Sequence, residues 1–178
     1  MTDTKDGFPK ALSPPTTKNT LVTTELVERL VKASRQSPRG RIIQPLHKSP
    51  AANLHRMLNA IQPGSYIQPH RHLFPPKAES VIILQGEIFV FIFTESGQIE
   101  TVHTITAGSA TIGIDSEPGV YHTFLATRAD TVIFEVKPGP YNQADDKDFA
   151  PWAPVEGTHG VKKYMTKLYE RGKQAETP

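Results

Sequence analysis

Four side chains in this sequence have the types and spacing of a metal-binding set. The segment PHRH, residues 69–72, places His70 and His72 one residue apart. On an extended strand both rings point to one face, with Cα atoms about 6.6 Å apart. Glu79 opens the next strand after a Pro-Pro turn, and His122 begins a later strand after a Pro-Gly turn. Together they predict a site for one divalent transition metal (Fe, Mn, Zn, Ni or Co) that leaves one or two positions for water or substrate.

Four further polar residues are candidates for lining a pocket beside these ligands. Tyr66 and Gln68 share the strand alternation of the histidine pair. Arg56 and Asn59 precede the motif, and on a strand they would point to opposite faces, so that at most one enters the interior. Glu135 lies in the apolar run TVIFEVK, where it either faces solvent or lies near the metal pocket.

Other conspicuous residues receive weaker interpretations. Lys77, in the turn before Glu79, could attract an anionic substrate, although a lone exposed lysine usually only increases solubility. Trp152 is expected to anchor the C-terminal segment, with a stacking platform for a sugar ring as the alternative. No role is assigned to the histidines that lack suitably spaced partners. These are His47, His55, His103 and His159.

Composition excludes several classes of function. The chain has 178 residues with 37% hydrophobic content, which is enough for one domain with a core and short for two. The 20 basic residues are offset by 18 acidic ones, so nucleic acid is not an expected partner. The absence of cysteine excludes disulfides, thiol catalysis and thiolate ligands. Without a signal peptide or a long apolar run, the expectation is a cytoplasmic protein that does not enter the membrane.

The N-terminal part predicts a tail followed by one helix. Residues 1–20 are rich in Thr, Pro and Lys, and we expect a disordered tail. The segment TTELVERLVKASRQS has an apolar stripe, with Thr24 as the predicted N-cap. RIIQPL is typical of a short edge strand. NLHRMLNAIQPGSYIQPH is ambiguous, because helix propensity favours a helix in its first half until the Pro-Gly pair ends it.

From Ser80 onward, short β-branched and aromatic runs alternate with turn signals about every ten residues. SVIILQGEIFVFIFTESGQIETVHTI reads as three strands, and ATIGI, VYHTFLA and DTVIFEVKPG continue the series. This pattern predicts an all-β antiparallel sandwich or barrel. VKKYMTKLYERG has helical spacing and is expected to lie on the sandwich, with a basic partner-binding helix as the alternative. The predicted boundaries are 21–157 for the domain and 158–178 for the C-terminal helix and tail.

The order of these motifs resembles the cupin superfamily. The matching residues of the first motif are Gly64, His70, His72, Glu79 and Gly86, and those of the second are Gly119 and His122. More specifically, LNAIQPGSYIQPHRH, PPKAE, PGVYHT, FEVKPGPY and DKDFAPWAP look like the WbuC family of cupin-fold metalloproteins, over roughly residues 23–157. The resemblance implies a metal-binding cupin jelly-roll β-sandwich with an N-terminal helix and a C-terminal helical extension. It also implies an association with surface-polysaccharide metabolism and a homodimer.

Three functions remain open at this point. One is a metal-dependent enzyme, such as an isomerase, epimerase or dioxygenase-type cupin, acting on a sugar-linked metabolite or a small carbonyl compound or acid. Another is a non-catalytic module that binds a carbohydrate or small acid. The third is a metal-free epimerase in which His70 works with Tyr66 or Tyr121.

Overall fold

The computed structural model of the protein describes residues 8–175. Its elements, in chain order, are α1 (Thr24–Gln36), β1 (Arg41–Pro45), β2 (Leu54–Ile61), β3 (His70–Arg71), β4 (Glu79–Gln85), β5 (Glu87–Phe93), β6 (Ile99–Thr106), β7 (Gly113–Ser116), β8 (Tyr121–Ala126), β9 (Thr131–Pro138), β10 (Asp148–Phe149) and α2 (Gly160–Ala175).

The strands form two five-stranded antiparallel sheets. The first has the order β1-β2-β9-β4-β7 and the second the order β10-β3-β8-β5-β6. Sequence neighbours such as β4 and β5 therefore lie in different sheets, while β4 pairs with the distant β9. This is a jelly-roll sandwich, and the predicted all-β cupin-type fold with a helix at each end is confirmed.

The space between the sheets is filled by an aliphatic cluster from both of them. Its buried members are Ile61, Val81, Ile83, Ile88, Val90, Ile105, Phe124, Ala126 and Ile133. Because side chains alternate across a strand, the intervening residues point outward and need cover of their own. Each sheet accordingly has a helix on its outer face.

The helix α1 covers the outer face of the first sheet. Its buried Leu30 and Val31 pack with Leu58 and Val132, which point away from the sandwich interior. The helix is capped by Thr23, whose side-chain oxygen accepts a hydrogen bond from the backbone of Leu26 at 3.3 Å. The predicted cap at Thr24 was wrong by one residue, because Thr24 already belongs to the first turn.

The helix α2 lies on the outer face of the second sheet, as the sequence predicts. Leu168 packs in a cluster with Phe89 and Leu125. Gly172 permits the close approach, since a Cβ atom at this position would lie 2.2 Å from Cδ2 of Phe89. The three residues after Ala175 lie outside the described part of the chain.

Several local predictions need correction. Residues 54–61, where helix propensity was favoured, form a strand hydrogen-bonded to β1 on one side and β9 on the other, so tertiary pairing overrides propensity. The strand predicted in ATIGI begins only at Gly113.

The predicted N-terminal tail divides into two parts. Residues 1–7 lie outside the described residues. Residues 8–20 run along the first sheet, where Ala11 forms a bridge with Ile43, and Phe8 and Leu12 contact the cluster under α1. Burial of these two apolar side chains stabilises the segment against the sheet. Among residues 8–175, neither helix is long and apolar enough to cross a membrane.

Candidate metal centre

The four predicted ligands come together at one end of the sandwich. His70 on β3 lies directly opposite His122 on β8 in the second sheet. Glu79 is the first residue of β4 in the other sheet, and His72 follows β3. Each of the four offers a ligand atom within 4.8 Å of the other three. All four are buried, with exposed fractions between 1% and 4%.

Backbone carbonyl groups fix the orientation of all three imidazoles. The Nδ1 atom of His70 lies 3.0 Å from the carbonyl oxygen of Gln68, and that of His122 lies 2.9 Å from the carbonyl oxygen of Val120. The Nδ1 atom of His72 contacts the carbonyl oxygen of Asp146. A carbonyl oxygen only accepts hydrogen bonds, so each Nδ1 carries a proton and donates it. In the neutral rings, each Nε2 atom therefore keeps a free lone pair.

These Nε2 atoms lack ordinary partners. Among the residues that the structure describes, the Nε2 atoms of His70 and His72 are buried without a hydrogen-bond partner. The Nε2 atom of His122 lies 3.0 Å from an oxygen of Glu79, and for a neutral ring both atoms are acceptors. Either an imidazolium proton or a cation must lie between them. Buried unpaired acceptors are costly, and a shared metal ion would satisfy all of them, so the donor set fits a metal.

The charges at the cluster favour the ligand-competent protonation states. Burial is the largest influence on Glu79 and raises its pKa. The neighbouring rings of His122 and His72, whose Nε2 atoms lie 3.0 Å and 3.5 Å from the Glu79 carboxylate, together with the charge of Lys137, outweigh burial and hold the pKa well below its ordinary value. Burial, with the charge of Lys147 next in importance, lowers the pKa of His70 far below the ordinary value. An ionised carboxylate and neutral imidazoles are the forms that bind metals.

A buried ion network surrounds the cluster. Lys137 Nζ lies 3.7 Å from Glu79, 3.3 Å from Glu135 and 3.2 Å from Asp146. Asp146 also pairs with Lys77 at 3.3 Å. Its backbone oxygen holds His72 and its carboxylate holds two lysines, so Asp146 is a positioning residue that sequence reasoning missed. No local spacing signals this role, because two of the three partners, His72 and Lys77, lie 74 and 69 residues away in the chain.

Lys77 does not have the considered role of an exposed lysine that attracts an anionic substrate. It is buried rather than exposed at the mouth, and its ammonium donates to the carbonyl oxygen of Pro140 at 3.0 Å in addition to its pairing with Asp146. It holds the segment after β9 in place. A further lysine, Lys147, acts on the cluster through its charge. The sequence did not suggest a role for it.

Of the four predicted pocket-lining residues, Glu135 and Gln68 lie at the cluster, whereas Arg56 and Tyr66 do not. Glu135 is buried beside the cluster, where it accepts a hydrogen bond from Asn59 at 2.7 Å. Its burial and the charge of Glu79 raise its pKa to about 7. Gln68 is buried and supplies the carbonyl group that holds His70. Arg56 is exposed, since it is Asn59 that enters the interior from β2.

Tyr66 also turns away from the cluster. Its hydroxyl donates to the carbonyl oxygen of Pro154 at 2.7 Å, and its ring meets that of Tyr164 on α2. Tyr121 packs in the cluster under α2, where Arg71 stacks on its ring. Neither tyrosine proposed as an acid for a metal-free epimerase faces the histidines.

The remaining aromatic candidates have structural contacts. Trp152 donates from Nε1 to the carbonyl oxygen of Glu95 at 3.2 Å and packs on Phe93, in agreement with the predicted anchor. His47 and His55 stack with ring centroids 4.0 Å apart. His103 and His159 are exposed.

Comparisons with known proteins assign no reaction to this chain. A family model described as a domain of unknown function, DUF6016, matches residues 22–105. No curated protein sequence matches the chain. The structure itself shows a double antiparallel sheet with a buried cluster of three histidines and one glutamate.

Several solved structures are similar at low sequence identity. KdgF from a Halomonas species is 14% identical, with 58% of this chain and 82% of that chain covered and a TM-score of 0.44. L-ribose isomerase from Cellulomonas parahominis, solved with L-ribose, is 19% identical, with 66% and 72% covered and a TM-score of 0.48. The Cnp3 cupin domain of Schizosaccharomyces pombe is 15% identical, with 55% and 64% covered and a TM-score of 0.42.

Proposed function

We propose that the protein binds one divalent transition metal through His70, His72, Glu79 and His122, and uses it to bind a small organic molecule. The observation that carries this proposal is the arrangement of the imidazoles. Each ring has its Nδ1 atom held by a backbone carbonyl group, and two of the three Nε2 atoms are buried without a partner. Ligand rings in metal sites are oriented in this way.

The metal, when bound, would polarise a ligand oxygen or lower the pKa of bound water. The chain's own residues supply the rest of the site. Asp146 holds His72 through its backbone oxygen, and Lys137 compensates the charges of Glu79, Glu135 and Asp146. The position of His72 therefore depends on the segment after β9 as well as on the strands that carry the ligands.

The favoured class is a metal-dependent enzyme acting on a sugar-linked metabolite or a small carbonyl compound or acid. The runner-up is a non-catalytic module for a carbohydrate or small acid. Turnover of such a compound by the metal-loaded protein, lost in His122→Ala, would support the enzyme, whereas saturable binding without turnover would support the module. The metal-free epimerase is disfavoured, because Tyr66 and Tyr121 both point into the layer under α2.

The first experiment is metal analysis of the purified protein beside two variants. The wild type should carry close to one equivalent of a transition metal, and His72→Ala should lose most of it. His103→Ala is the matched control, since His103 is an exposed histidine on β6. Absence of metal from the wild type after reconstitution, or equal metal content in His72→Ala, would refute the proposal.

We also propose, from the resemblance alone, that the protein is a cytoplasmic WbuC-type cupin connected with surface polysaccharide. A homodimer is part of the same proposal. The outer face of β4 and the segment before β7 leave Ile82, Leu84 and Ile112 between 41% and 47% exposed, an apolar surface that a second copy could cover. Analytical ultracentrifugation tests this point, and a monomer at high concentration would contradict it.

A further inference from the structure

The segment after β9 closes the end of the sandwich that holds the cluster. Its attachments there include Lys77 with the carbonyl oxygen of Pro140, His72 with that of Asp146, and the pairing of β10 with β3. The segment ends in β10, where Phe149 lies opposite His70 and Asp148 lies opposite Arg71. It therefore brings its own side chains next to the predicted ligands.

Strand alternation decides which of these side chains face the cluster. Asp148 accepts a hydrogen bond from Arg71 at 2.7 Å, and Arg71 stacks on Tyr121 in the layer under α2. Asp148 therefore points outward, and its neighbours Lys147 and Phe149 point toward the interior. The ring of Phe149 confirms this direction, because its centroid is 6.1 Å from that of His70.

Lys147 differs from the other two lysines of the site. Lys77 and Lys137 both form ion pairs with Asp146. Lys147 directly precedes β10, which pairs with the strand that carries His70, and its charge acts on His70, Glu79 and Glu135. Within residues 8–175, however, its side chain forms no hydrogen bond or ion pair. Burial, followed by the charge of Lys137, lowers its pKa to about 8.

The charges of the site leave room for an anion. Three lysines and three acids share the site, the acids being Glu79, Glu135 and Asp146, so their charges balance when all six groups are ionised. A divalent metal would add two positive charges, and its ligands are buried. Uncompensated charge in such a place is costly, so the loaded site favours an anionic ligand. Phe149, half exposed beside His70, offers an apolar surface to the rest of that ligand.

We propose that Lys147 binds the carboxylate of a small organic acid, while an adjacent carbonyl or hydroxyl oxygen of the same molecule faces the metal. This inference rests on the proposed metal function and names its ligand class. The ligands it favours are 2-oxo and 2-hydroxy acids, including those derived from sugars. Lys147 is then a specificity-determining residue that distinguishes acids from neutral carbonyl compounds.

The test compares pyruvate with 2,3-butanedione, which replaces the carboxylate by a neutral acetyl group. Binding to metal-loaded protein is measured by calorimetry for the wild type, Lys147→Met, Lys147→Arg and Lys163→Met. Lys163 is an exposed lysine of α2 and serves as the control. Metal content is determined for every sample.

The wild type should bind pyruvate in preference to butanedione. Lys147→Met should weaken pyruvate binding by about tenfold or more, as expected for the loss of a charge-assisted hydrogen bond. Lys147→Arg should retain most of the affinity, and Lys163→Met all of it. Metal content should stay near one equivalent throughout.

Three results would overturn the inference while leaving the metal proposal intact. They are unchanged pyruvate affinity in metal-loaded Lys147→Met, equal binding of the two compounds by the wild type, and a loss of metal or of binding in both Lys147 variants. The last result would show that Lys147 has only a structural role. A wild type that takes up no metal would instead defeat the proposed function itself.

Discussion

The interior between the two sheets has an apolar half and a polar half, and the same strands build both. Three strands each place a charged or metal-ligating residue in one half and an apolar residue, two positions away, in the other: Glu79 and Val81 on β4, His122 and Phe124 on β8, and Glu135 and Ile133 on β9. A step of two residues keeps the side chain on the same face of the sheet. The interior therefore passes from apolar core to polar site along the length of each of these strands.

The apolar half stabilises the fold, whereas the polar half holds the groups that could do chemistry. The apolar half gains from removing aliphatic surface from water. The polar half buries charged groups, which cost free energy unless each has a partner. The chain supplies those partners from Asn59, Lys77, Lys137 and Asp146. We infer that the free energy gained by burial in the apolar half offsets the free energy lost by burying charged groups in the polar half.

The largest effect on stability is expected from a substitution in the apolar half alone. Ile133→Ala should lower the free energy of unfolding by about 3 kcal/mol, because it removes a fully buried side chain from a packed core. Urea denaturation measures the loss. The folded variant should still bind one equivalent of metal. Val155→Ala, at a side chain that is 60% exposed, is the control and should change stability by less than about 1 kcal/mol. A large loss of metal from folded Ile133→Ala would show that the halves are not separable.

The converse experiment removes the metal. With free metal at 100 times its Kd, the loaded protein should be more stable than the apoprotein by about 2.7 kcal/mol, since the ion binds only the folded state. Thermal denaturation with and without a chelator measures the difference. The same comparison in His122→Ala should show almost no effect of metal. An equal stabilisation of the variant would place the metal elsewhere.

A smaller effect distinguishes the acids of the polar half from Glu87, an acid outside it. Glu87 begins β5 near the apolar half and accepts hydrogen bonds from Thr127 at 2.6 Å and Thr106 at 2.9 Å. Burial raises its pKa, but these bonds and the charge of Arg128 lower it below the ordinary value. The ionised form is therefore favoured by folding. Its contribution to stability is present above the pKa of the unfolded chain and is lost as pH falls through the lower pKa of the folded state.

Glu87→Gln should thus cost about 1 kcal/mol at neutral pH, and the difference from wild type should shrink as pH falls below about 4.5. Denaturant titrations of both proteins at several pH values test this, with metal content as the control. A constant difference across that range would contradict the assignment. Unlike the acids of the polar half, Glu87 should have no effect on metal binding.

The sequence predicts much of the fold because the signals are local. From Ser80 onward, alternation and turn residues identify β4 to β6, β8 and β9. Apolar residues at helical spacing identify both helices. The prediction failed for residues 54–61, where helix propensity competes with a pairing to two distant strands that no local window contains. The exact cap of α1 at Thr23 was missed by one residue for a similar reason, since two threonines compete there.

The candidate site was predicted in part. The spacing of His70 and His72 and the turns before Glu79 and His122 were enough to nominate all four residues that the fold brings together. The surrounding charges were not predictable. Lys77 and Lys147 differ in role only because Asp146 reaches one and not the other, and that contact depends on the path of the segment after β9. The direction of Arg56 became clear only with the register of the first sheet, and that of Tyr66 only with its contacts to Pro154 and Tyr164.

The central claim is that three imidazoles and one carboxylate share a single ion. X-ray absorption spectroscopy of the metal-loaded protein tests it most directly, because imidazole scattering beyond the nearest atoms reports how many histidines bind. We predict three histidines with oxygen ligands completing the shell, and two histidines in each of the variants His70→Ala and His122→Ala that still retains metal. A spectrum with oxygen ligands only, or one that is unchanged in both variants, would contradict the account.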